Sequence, residues 1–161
     1  MQGLESKDTE LKGLTLRIMG NVLGEEEGEY ARALINSPFL ELIFKFLISS
    51  QAIERKDGCW VLANFASSEA GAIAVVRNSL IMDKLQEMLY YDTNLEIRRE
   101  LSLIFNYLIG QADRPTIFQF AARKDFLEVM TLYLSQEDID LSIATLNNIK
   151  ELLVLGDEFR D

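Results

Sequence analysis

The chain contains an internal repeat with a period of about 43 residues. The segment "FLELIFKFL" begins at Phe39 and the similar segment "FLEVMTLYL" begins at Phe126, an offset of 87 residues. The apolar stretch that begins at Met82 lies between them, 43 residues after the first. Two sets of residues in the longer segments keep the spacing of 43: Asn21, Asn64 and Tyr107, and Lys12, Arg55 and Arg98. Units of this length bury their apolar faces only by stacking on their neighbours, so we expect a solenoid with a long concave surface.

Each unit of the repeat reads as a set of helices. Apolar residues recur at helical spacing and nowhere alternate over the length of a strand. Three short apolar helices are predicted at 39–49, 83–91 and 125–135, and each is followed by a longer one. A period of about 40 to 47 residues built from two or three helices is typical of HEAT or armadillo arrays. We therefore predict an all-α chain of roughly ten helices with no strand.

Residues that begin and end helices fall between the predicted segments. Ser37 can cap a helix that has Pro38 at its first position, and residues 113–115 interrupt another. Gly24 and Gly110 stand 86 residues apart where helices are expected to end. The sequence has two prolines and no Ser- or Gly-rich tract, so no linker is predicted and the chain reads as one domain.

The composition indicates a folded chain with an acidic surface. Its 161 residues are 48% hydrophobic, which suits a globular domain with a sizeable core. Lys and Arg number 16 against 26 Asp and Glu, a net charge of −10 that argues against nucleic acid or an anionic membrane as partner. A basic partner is favoured. Because the sequence has a single cysteine, Cys59, and shows no signal peptide or long apolar run, we expect a cytoplasmic and nuclear protein.

The residues that most enzymes need are absent. The chain has no histidine, which excludes His-based triads, histidine metal sites and imidazole acid-base catalysis. No P-loop, GxGxxG or CxxC occurs either. We therefore expect no enzymatic activity, no cofactor and no metal site.

The stretch "GCWVLANFASS" carries the most distinctive residues of the repeat. Trp60 is the only tryptophan, and Asn64 follows it by four residues, so both side chains lie on one face of a helix. Here "RKDGCWVLANFAS" resembles the third helix of importin-α repeats, in which a tryptophan and an asparagine one turn later form the groove signature. Upstream, "TLRIMGNVLG" resembles repeats of that family in which arginine replaces the tryptophan, so Arg17 and Asn21 correspond to the pair. Downstream, "AIAVVRNSLIMDKLQEML" resembles the first and second helices of the next repeat.

The resemblance implies an armadillo-repeat solenoid that coils into a right-handed superhelix. It covers about residues 8 to 155 as one leading third helix and three full repeats. The predicted boundaries are 8–24 for the leading helix and 25–67, 68–110 and 111–155 for the repeats, within a single domain spanning 1–161.

In that family the paired residues line the inner groove and bind an extended basic peptide, the nuclear localisation signal. The chemistry is sound, because an Asn carboxamide can both donate to and accept from an extended backbone. An indole face packs on lysine stems and attracts the ammonium. Asp57, and Glu100 at the equivalent position 43 residues later, would bind the charged ends of the lysine or arginine side chains.

Later copies depart from the signature. The period of 43 places Leu103 and Tyr107 at the two positions in the third copy, whereas a shift of one residue would place Asn106 there instead. We prefer Tyr107. The fourth copy has Leu146 and Lys150 by the period of 43, or Asn147 and Glu151 by the offset of 87. Only one complete Trp/Asn pair remains, so weak peptide binding is expected.

Less specific roles exist for the same residues. Trp60 is equally explained as a core residue, and Asn64 as a brace between neighbouring repeats. Arg17 reads as a solvated cation, and Cys59 as a small buried residue.

Two functions follow from these patterns. The first is an importin-α-like nuclear-transport adaptor that binds basic cargo in the second, smaller signal site. No counterpart of the amino-terminal importin-β-binding segment is found, and binding of an export receptor is implied only by position in the array. The alternative is an armadillo scaffold with a vestigial groove.

The amino-terminal helix is expected to expose an apolar strip. If it is a third helix without its own first and second helices, its apolar side chains cannot all be covered from one side. These are Leu11, Leu14, Leu16, Ile18 and Met19. We expect this strip to be covered by self-association, by crystal contacts or by fraying of residues 1 to 10, and the chain to be a truncated form of a longer array.

Overall fold

The chain folds into a row of helices with no strand among the residues that the structure describes. The computed structural model describes residues 2–6, 8–25, 28–121, 130–131, 134 and 139–158. A short 3₁₀ turn, Gln2–Glu5, precedes the first α-helix. The α-helices are α1 (Thr9–Leu23), α2 (Glu29–Leu34), α3 (Phe39–Leu47), α4 (Ala52–Ala66), α5 (Glu69–Arg77), α6 (Ser79–Tyr91), α7 (Leu95–Gln111), α8 (Arg114–Ala121) and α9 (Ile139–Glu158). The prediction of an all-α chain is confirmed.

Two of the three predicted short helices fall where the apolar pattern placed them. α3 covers most of the predicted 39–49, and α6 begins four residues before the predicted 83–91. The third predicted helix, 125–135, lies almost entirely outside the described residues.

The period of 43 is visible in the positions where helices begin. α1, α4 and α7 begin at Thr9, Ala52 and Leu95, which are 43 residues apart. The side chains of Asp8 and Asn94, one residue before α1 and α7, accept hydrogen bonds from backbone N–H groups of the first turn. Equivalent residues therefore start equivalent helices.

The helices α1, α4, α7 and α9, named here the stacked helices, lie side by side in one row. α1 packs on α4, α4 on α7, and α7 on α9. The shorter helices pack around this row, and a continuous apolar core runs between the two layers. Its largest fully buried side chains include Phe39, Phe65 and Phe105. The division into repeats at 25–67, 68–110 and 111–155 remains a prediction.

Basic residues of the repeat join the ends of the short helices to the stacked helices. Arg55 donates from Nη1 to the carbonyl of Ser49 at 3.0 Å, and Arg98 donates from Nε to the carbonyl of Asp92 at 2.8 Å. Ser49 and Asp92 are themselves 43 residues apart, so the two contacts are equivalent. Arg55 also pairs with the carboxylate of Asp92 at 2.8 Å, which joins one unit to the next. Lys12 of α1 pairs with Glu54 of α4 at 3.4 Å, and this ion pair likewise joins one unit to the next.

The helices end close to the predicted residues, and two of these ends are shifted by one residue. The hydroxyl of Ser37 accepts a hydrogen bond from the Phe39 N–H, but α3 begins at Phe39, so Pro38 stands one residue before the helix. Gly24 terminates α1 as expected, whereas Gly110 lies inside the last turn of α7. Such shifts of one residue are within the fraying of helix ends. The Oδ1 atom of Asp113 accepts from the Thr116 N–H at 2.9 Å and starts α8.

The alignment of α9 with the other stacked helices follows from the direction its side chains face. Ser102 faces α9, because its hydroxyl lies 3.5 Å from that of Thr145. Thr145 faces back toward α7, so the two residues, although 43 apart, are on opposite sides of their helices. An offset of 44 from α7, and hence 87 from α4, removes this conflict. It matches buried residues of α9 to buried residues of α7: Leu141, Thr145 and Asn148 to Ile97, Leu101 and Ile104. The fourth copy therefore contains one additional residue.

A polar seam lies buried between α7 and α9. Ser102, Thr145 and Asn148 are all fully buried there. The Nδ2 atom of Asn148 donates to the Ser102 carbonyl at 3.2 Å, while its Oδ1 atom is buried without a partner among the described residues. The equivalent residues of α7 and α4 are Ile104 and Val61. This interface therefore leaves one acceptor unsatisfied where the other units have apolar contact.

Asn148→Leu should stabilise the protein. The change removes a buried, half-satisfied amide from a position that is apolar in the other units, and such an unsatisfied atom costs about 1 kcal/mol or more. We expect the free energy of unfolding in a urea titration to rise by about 1 kcal/mol relative to the control Asn147→Leu. Asn147 is exposed on the same helix, so the control carries the same gain in helix propensity. A variant less stable than the control would show that the Asn148 hydrogen bond outweighs the orphaned oxygen.

Candidate functional site

The sequence-predicted site residues form one strip along three neighbouring stacked helices. Three pairs at equivalent positions make up this strip, named here the pair strip: Arg17 and Asn21 on α1, Trp60 and Asn64 on α4, and Leu103 and Tyr107 on α7. All six side chains are exposed or partly exposed. The structure thus brings together residues that are 90 positions apart in sequence.

Trp60 packs against the preceding stacked helix. Its six-membered ring lies directly over Gly20 of α1, where an added Cβ would overlap the ring atoms Cζ3 and Cη2. The indole also contacts the apolar core but remains partly exposed. The side chain is therefore both a packing residue and part of the surface. Gly20, which sequence reasoning did not select, provides the space that the ring occupies.

Asn64 lies one turn further along α4, beside Gly24. Its Oδ1 atom would stand 3.4 Å from a Cβ added at Gly24, an ordinary contact. Its carboxamide has no hydrogen-bond partner in the described part of the chain, and the residue is partly exposed. Asn64 therefore touches the neighbouring unit without bonding to it, and its donor and acceptor atoms stay available to a ligand.

Asp57 stands one turn before Trp60 beside a small charged cavity. The cavity has a volume of about 270 Å³ and lies between α1 and α4. Asp57 and Glu54 line it together with Glu10, Lys12 and Arg17. Burial raises the pKa of the Asp57 carboxyl, and the positive charges of Lys56 and Arg17 oppose that rise. No cation within the described residues forms an ion pair with Asp57, so the carboxylate can attract one from outside.

Glu100, the equivalent of Asp57 on α7, is less accessible. Its Oε2 atom is buried and has no hydrogen-bond partner among the described residues. Burial raises the pKa of the Glu100 carboxyl; Lys56 opposes the rise and Glu96 adds to it. Lys56 is already paired with Glu96 at 3.2 Å. Glu100 can therefore offer a ligand one carboxylate oxygen at most.

Beyond the Trp60 pair, the strip becomes less favourable for an extended peptide. Equal helix starts favour the alignment that places Tyr107, and not Asn106, at the asparagine position. Tyr107 packs against the core, and Leu103 is exposed. With an offset of 87, the fourth copy presents Asn147 and Glu151, both exposed. Neither later copy restores the Trp/Asn pair.

The described parts of the chain bear on two other kinds of function, metal binding and membrane insertion. No cluster of three or more His, Cys, Asp or Glu side chains there has a geometry suited to a metal ion. No described helix is both long enough and apolar enough to cross a membrane.

Comparison with known proteins identifies the fold. No protein-family model and no curated protein matches the chain. Among solved structures, an engineered protein superposes with a TM-score of 0.81 at 20% sequence identity, covering 94% of this chain and 36% of its own. A designed armadillo repeat protein gives 0.80 at 16% identity, covering 96% and 68%. Another, in complex with peptide (KR)4, gives 0.76 at 17% identity, covering 96% and 68%.

The class of fold that these likenesses define is the armadillo-repeat solenoid. The chain spans about a third of the first engineered protein and about two thirds of the designed ones. At these low identities the likeness concerns the fold alone.

Gly20→Ala should displace the indole of Trp60. A Cβ at this position overlaps the ring, so the ring must move outward or the helices must separate, at a cost of about 1 to 3 kcal/mol. Because Trp60 is the only tryptophan, its fluorescence reports on this site alone. We expect a red-shifted emission and a lower free energy of unfolding.

Gly13→Ala is the matched control for that change. Gly13 lies on the same helix, where an added Cβ meets no other atom within 4 Å. It should stabilise the helix by about 1 kcal/mol and leave the emission unchanged. Equal spectra for the two variants would contradict the packing of Trp60 on Gly20.

Glu100→Gln should stabilise the protein at neutral pH but not at low pH. With its pKa raised on folding, the native state binds more protons than the unfolded state above the ordinary pKa of 4.5. The unfolding free energy therefore falls as pH rises through the window above 4.5, and the neutral amide avoids this loss. Urea titrations across the pH range should show a gain that disappears below that value. Glu41→Gln, the same change at an exposed residue of α3, is the control for the substitution itself.

Proposed function

We propose that the chain is a protein-interaction module that binds an extended peptide rich in lysine and arginine along the pair strip. The observation that carries the proposal is the arrangement on α4. A partly exposed indole, an asparagine with no described partner and a carboxylate follow one another on the same helix: Trp60, Asn64 and Asp57. This arrangement suits a peptide backbone with a basic side chain.

Each of the three groups meets a different part of such a peptide. The Asn64 amide can donate to a backbone carbonyl and accept from a backbone N–H. The exposed part of the Trp60 ring offers a flat apolar surface for a lysine stem, with a cation-π attraction for its head. Asp57 then attracts the charged head. The net charge of −10 supports the same choice of ligand, because it draws cations toward the whole molecule.

Arg17 limits the affinity of the site. Arg17 is exposed on the pair strip at the position equivalent to Trp60 of α4. Its positive charge opposes the rise in the pKa of the Asp57 carboxyl. A basic peptide therefore meets a like charge at the next position along the strip. With one complete Trp/Asn pair, we expect dissociation constants in the micromolar range or weaker, about −8 kcal/mol at best.

The comparisons support this choice of ligand class. One structural neighbour is a designed armadillo repeat protein in complex with peptide (KR)4. Another belongs to designed armadillo repeat proteins for modular peptide recognition. The same fold therefore carries basic-peptide recognition in a designed protein, and this chain shares the fold.

A more specific role is that of an importin-α-like adaptor for nuclear localisation signals, shuttling between cytoplasm and nucleus and meeting an export receptor. The Trp60 and Asn64 pair on an exposed strip favours it, together with the resemblance of "RKDGCWVLANFAS" to that family. The structural neighbours named above are designed proteins, so the support they give reaches only the general role. A scaffold with a vestigial groove is the competing function.

Titration of a fluorescent basic peptide against the whole chain tests the proposal. Trp60→Ala should weaken binding by on the order of 0.5 to 2 kcal/mol, the range for a cation over an aromatic face. Asn64→Ala should cost about 0.5 to 1.5 kcal/mol, as for one net hydrogen bond. Raising the salt to the molar range, where the Debye length is about 3 Å, should weaken binding sharply.

Tyr91→Ala and Asn36→Ala are matched controls, because each removes an exposed side chain of the same kind and lies outside the stacked helices that carry the pair strip. Both should bind as wild type, and an acidic peptide of equal length should not bind. If wild type fails to bind at low salt, the basic-peptide function is wrong. If partners captured from a cell lysate remain bound to both Trp60→Ala and Asn64→Ala, the scaffold function replaces it.

A further inference from the structure

Two opposite charges beside the Trp60 ring have no ion-pair partner among the residues that the structure describes. Arg17 of α1 is exposed, and its guanidinium makes no hydrogen bond or ion pair within that part of the chain. Asp57 of α4 pairs with no cation there either. Both side chains line the same cavity of about 270 Å³ between α1 and α4, yet they do not pair with each other. Each charge therefore remains available to a ligand.

The other charged residues of this cavity leave the same two charges open. Lys12 pairs with Oε1 of Glu54 at 3.4 Å, and the Ser49 hydroxyl donates to Oε2 of Glu54 at 2.6 Å. Both carboxylate oxygens of Glu54 are therefore already occupied. Glu10 is exposed at the edge of the cavity. The cavity thus offers carboxylates to a basic group and the guanidinium of Arg17 to an acidic one.

The spacing of the helices sets which peptide residue meets Arg17. α1 packs on α4, and the axes of packed helices lie about 8 to 10 Å apart. In an extended peptide, side chains on the same side are two residues apart, a distance of about 6.6 Å, and a long side chain spans the remainder. Arg17 occupies the position on α1 that Trp60 occupies on α4. A peptide with a lysine on Trp60 therefore presents the residue two positions away to Arg17.

We propose that the pair strip selects peptides of mixed charge, in which an acidic residue lies two positions from the lysine that Trp60 binds. This inference rests on the proposed function and specifies its ligand. The lysine head meets Asp57, while the acidic side chain accepts hydrogen bonds from Arg17, whose planar guanidinium matches a carboxylate. The acidic residue belongs at the α1 end of the peptide, because the equivalent positions on α7 are Leu103 and Glu100, and neither attracts a carboxylate.

The net charge of the chain predicts the opposite order of affinity. With a charge of −10, the protein attracts a peptide of three lysines more strongly than one in which glutamate replaces a terminal lysine. Contact with Arg17 acts against this trend, since the third lysine meets a like charge and the glutamate an opposite one. At physiological salt the Debye length is about 8 Å, so distant charges are screened and the local contact is not. The contact therefore decides the order under those conditions.

Titration of the full chain with three fluorescent peptides of equal length tests the inference. With blocked ends, they are Lys-Ala-Lys-Ala-Lys, Glu-Ala-Lys-Ala-Lys and the reversed order Lys-Ala-Lys-Ala-Glu. Both mixed orders are needed because an asparagine amide can bind a peptide backbone in either direction. At physiological salt, wild type should bind the better mixed peptide about two- to fivefold more tightly than the lysine peptide, the range for an exposed charge pair.

Two variants show whether Arg17 is the cause of that preference. Arg17→Gln should bind the lysine peptide more tightly and the mixed peptide more weakly, so the wild-type preference is lost. Arg77→Gln is the matched control, because it removes the same charge from an exposed arginine of α5, outside the stacked helices. It should keep the wild-type preference. Both substitutions are at exposed residues, and circular dichroism establishes that both variants are folded.

The results that overturn the inference differ from those that overturn the proposed function. If wild type binds the lysine peptide more tightly than either mixed peptide at physiological salt, the inference is wrong. Equal preferences in Arg17→Gln and Arg77→Gln would also refute it. In both cases binding of the lysine peptide still supports the proposed function. If none of the three peptides binds even at low salt, the proposed function is wrong and this inference is wrong with it.

Discussion

Close side-by-side contact of the stacked helices is the constraint on which the rest of this structure depends. An isolated unit of about 43 residues has too little core to be stable alone, so each unit must bury a helix face against the next. Helices approach closely only where side chains are small or shaped to fit. Gly20 under the Trp60 ring provides such a fit, and so do Cys59 and Ser102 on the faces turned toward the next helix. The pair strip exists because these contacts hold three helices in equal register.

Much of the fold was predictable because the forces that place the helices are local. Apolar spacing and capping residues such as Asn94 act within a few positions, so they are legible in the sequence and repeat at 43 residues. The alignment of the fourth copy could not be predicted from the sequence in this way. One additional residue rotates a helix position by about 100°, and two alignments one residue apart both show apolar positions. The direction of the contact between Ser102 and Thr145 decides between them, and it depends on the packing of two helices that are distant in sequence.

The residues of the candidate site could be predicted from the sequence, but their burial and their neighbours could not. Sequence places Asn64 and Asn148 alike, as amides within apolar helices, yet the first is partly exposed and the second is buried against α7. The difference depends on which face the neighbouring helix covers, a long-range property. Trp60 likewise combines two roles that sequence reasoning had set against each other, since one part of the ring packs on Gly20 while the rest faces solvent. A change to Trp60 should therefore be judged by stability and binding together.

The number of complete pairs on the row limits what one copy can bind. A linear peptide gains affinity by engaging several equivalent positions, and this chain offers a single complete pair, which keeps one copy a weak binder.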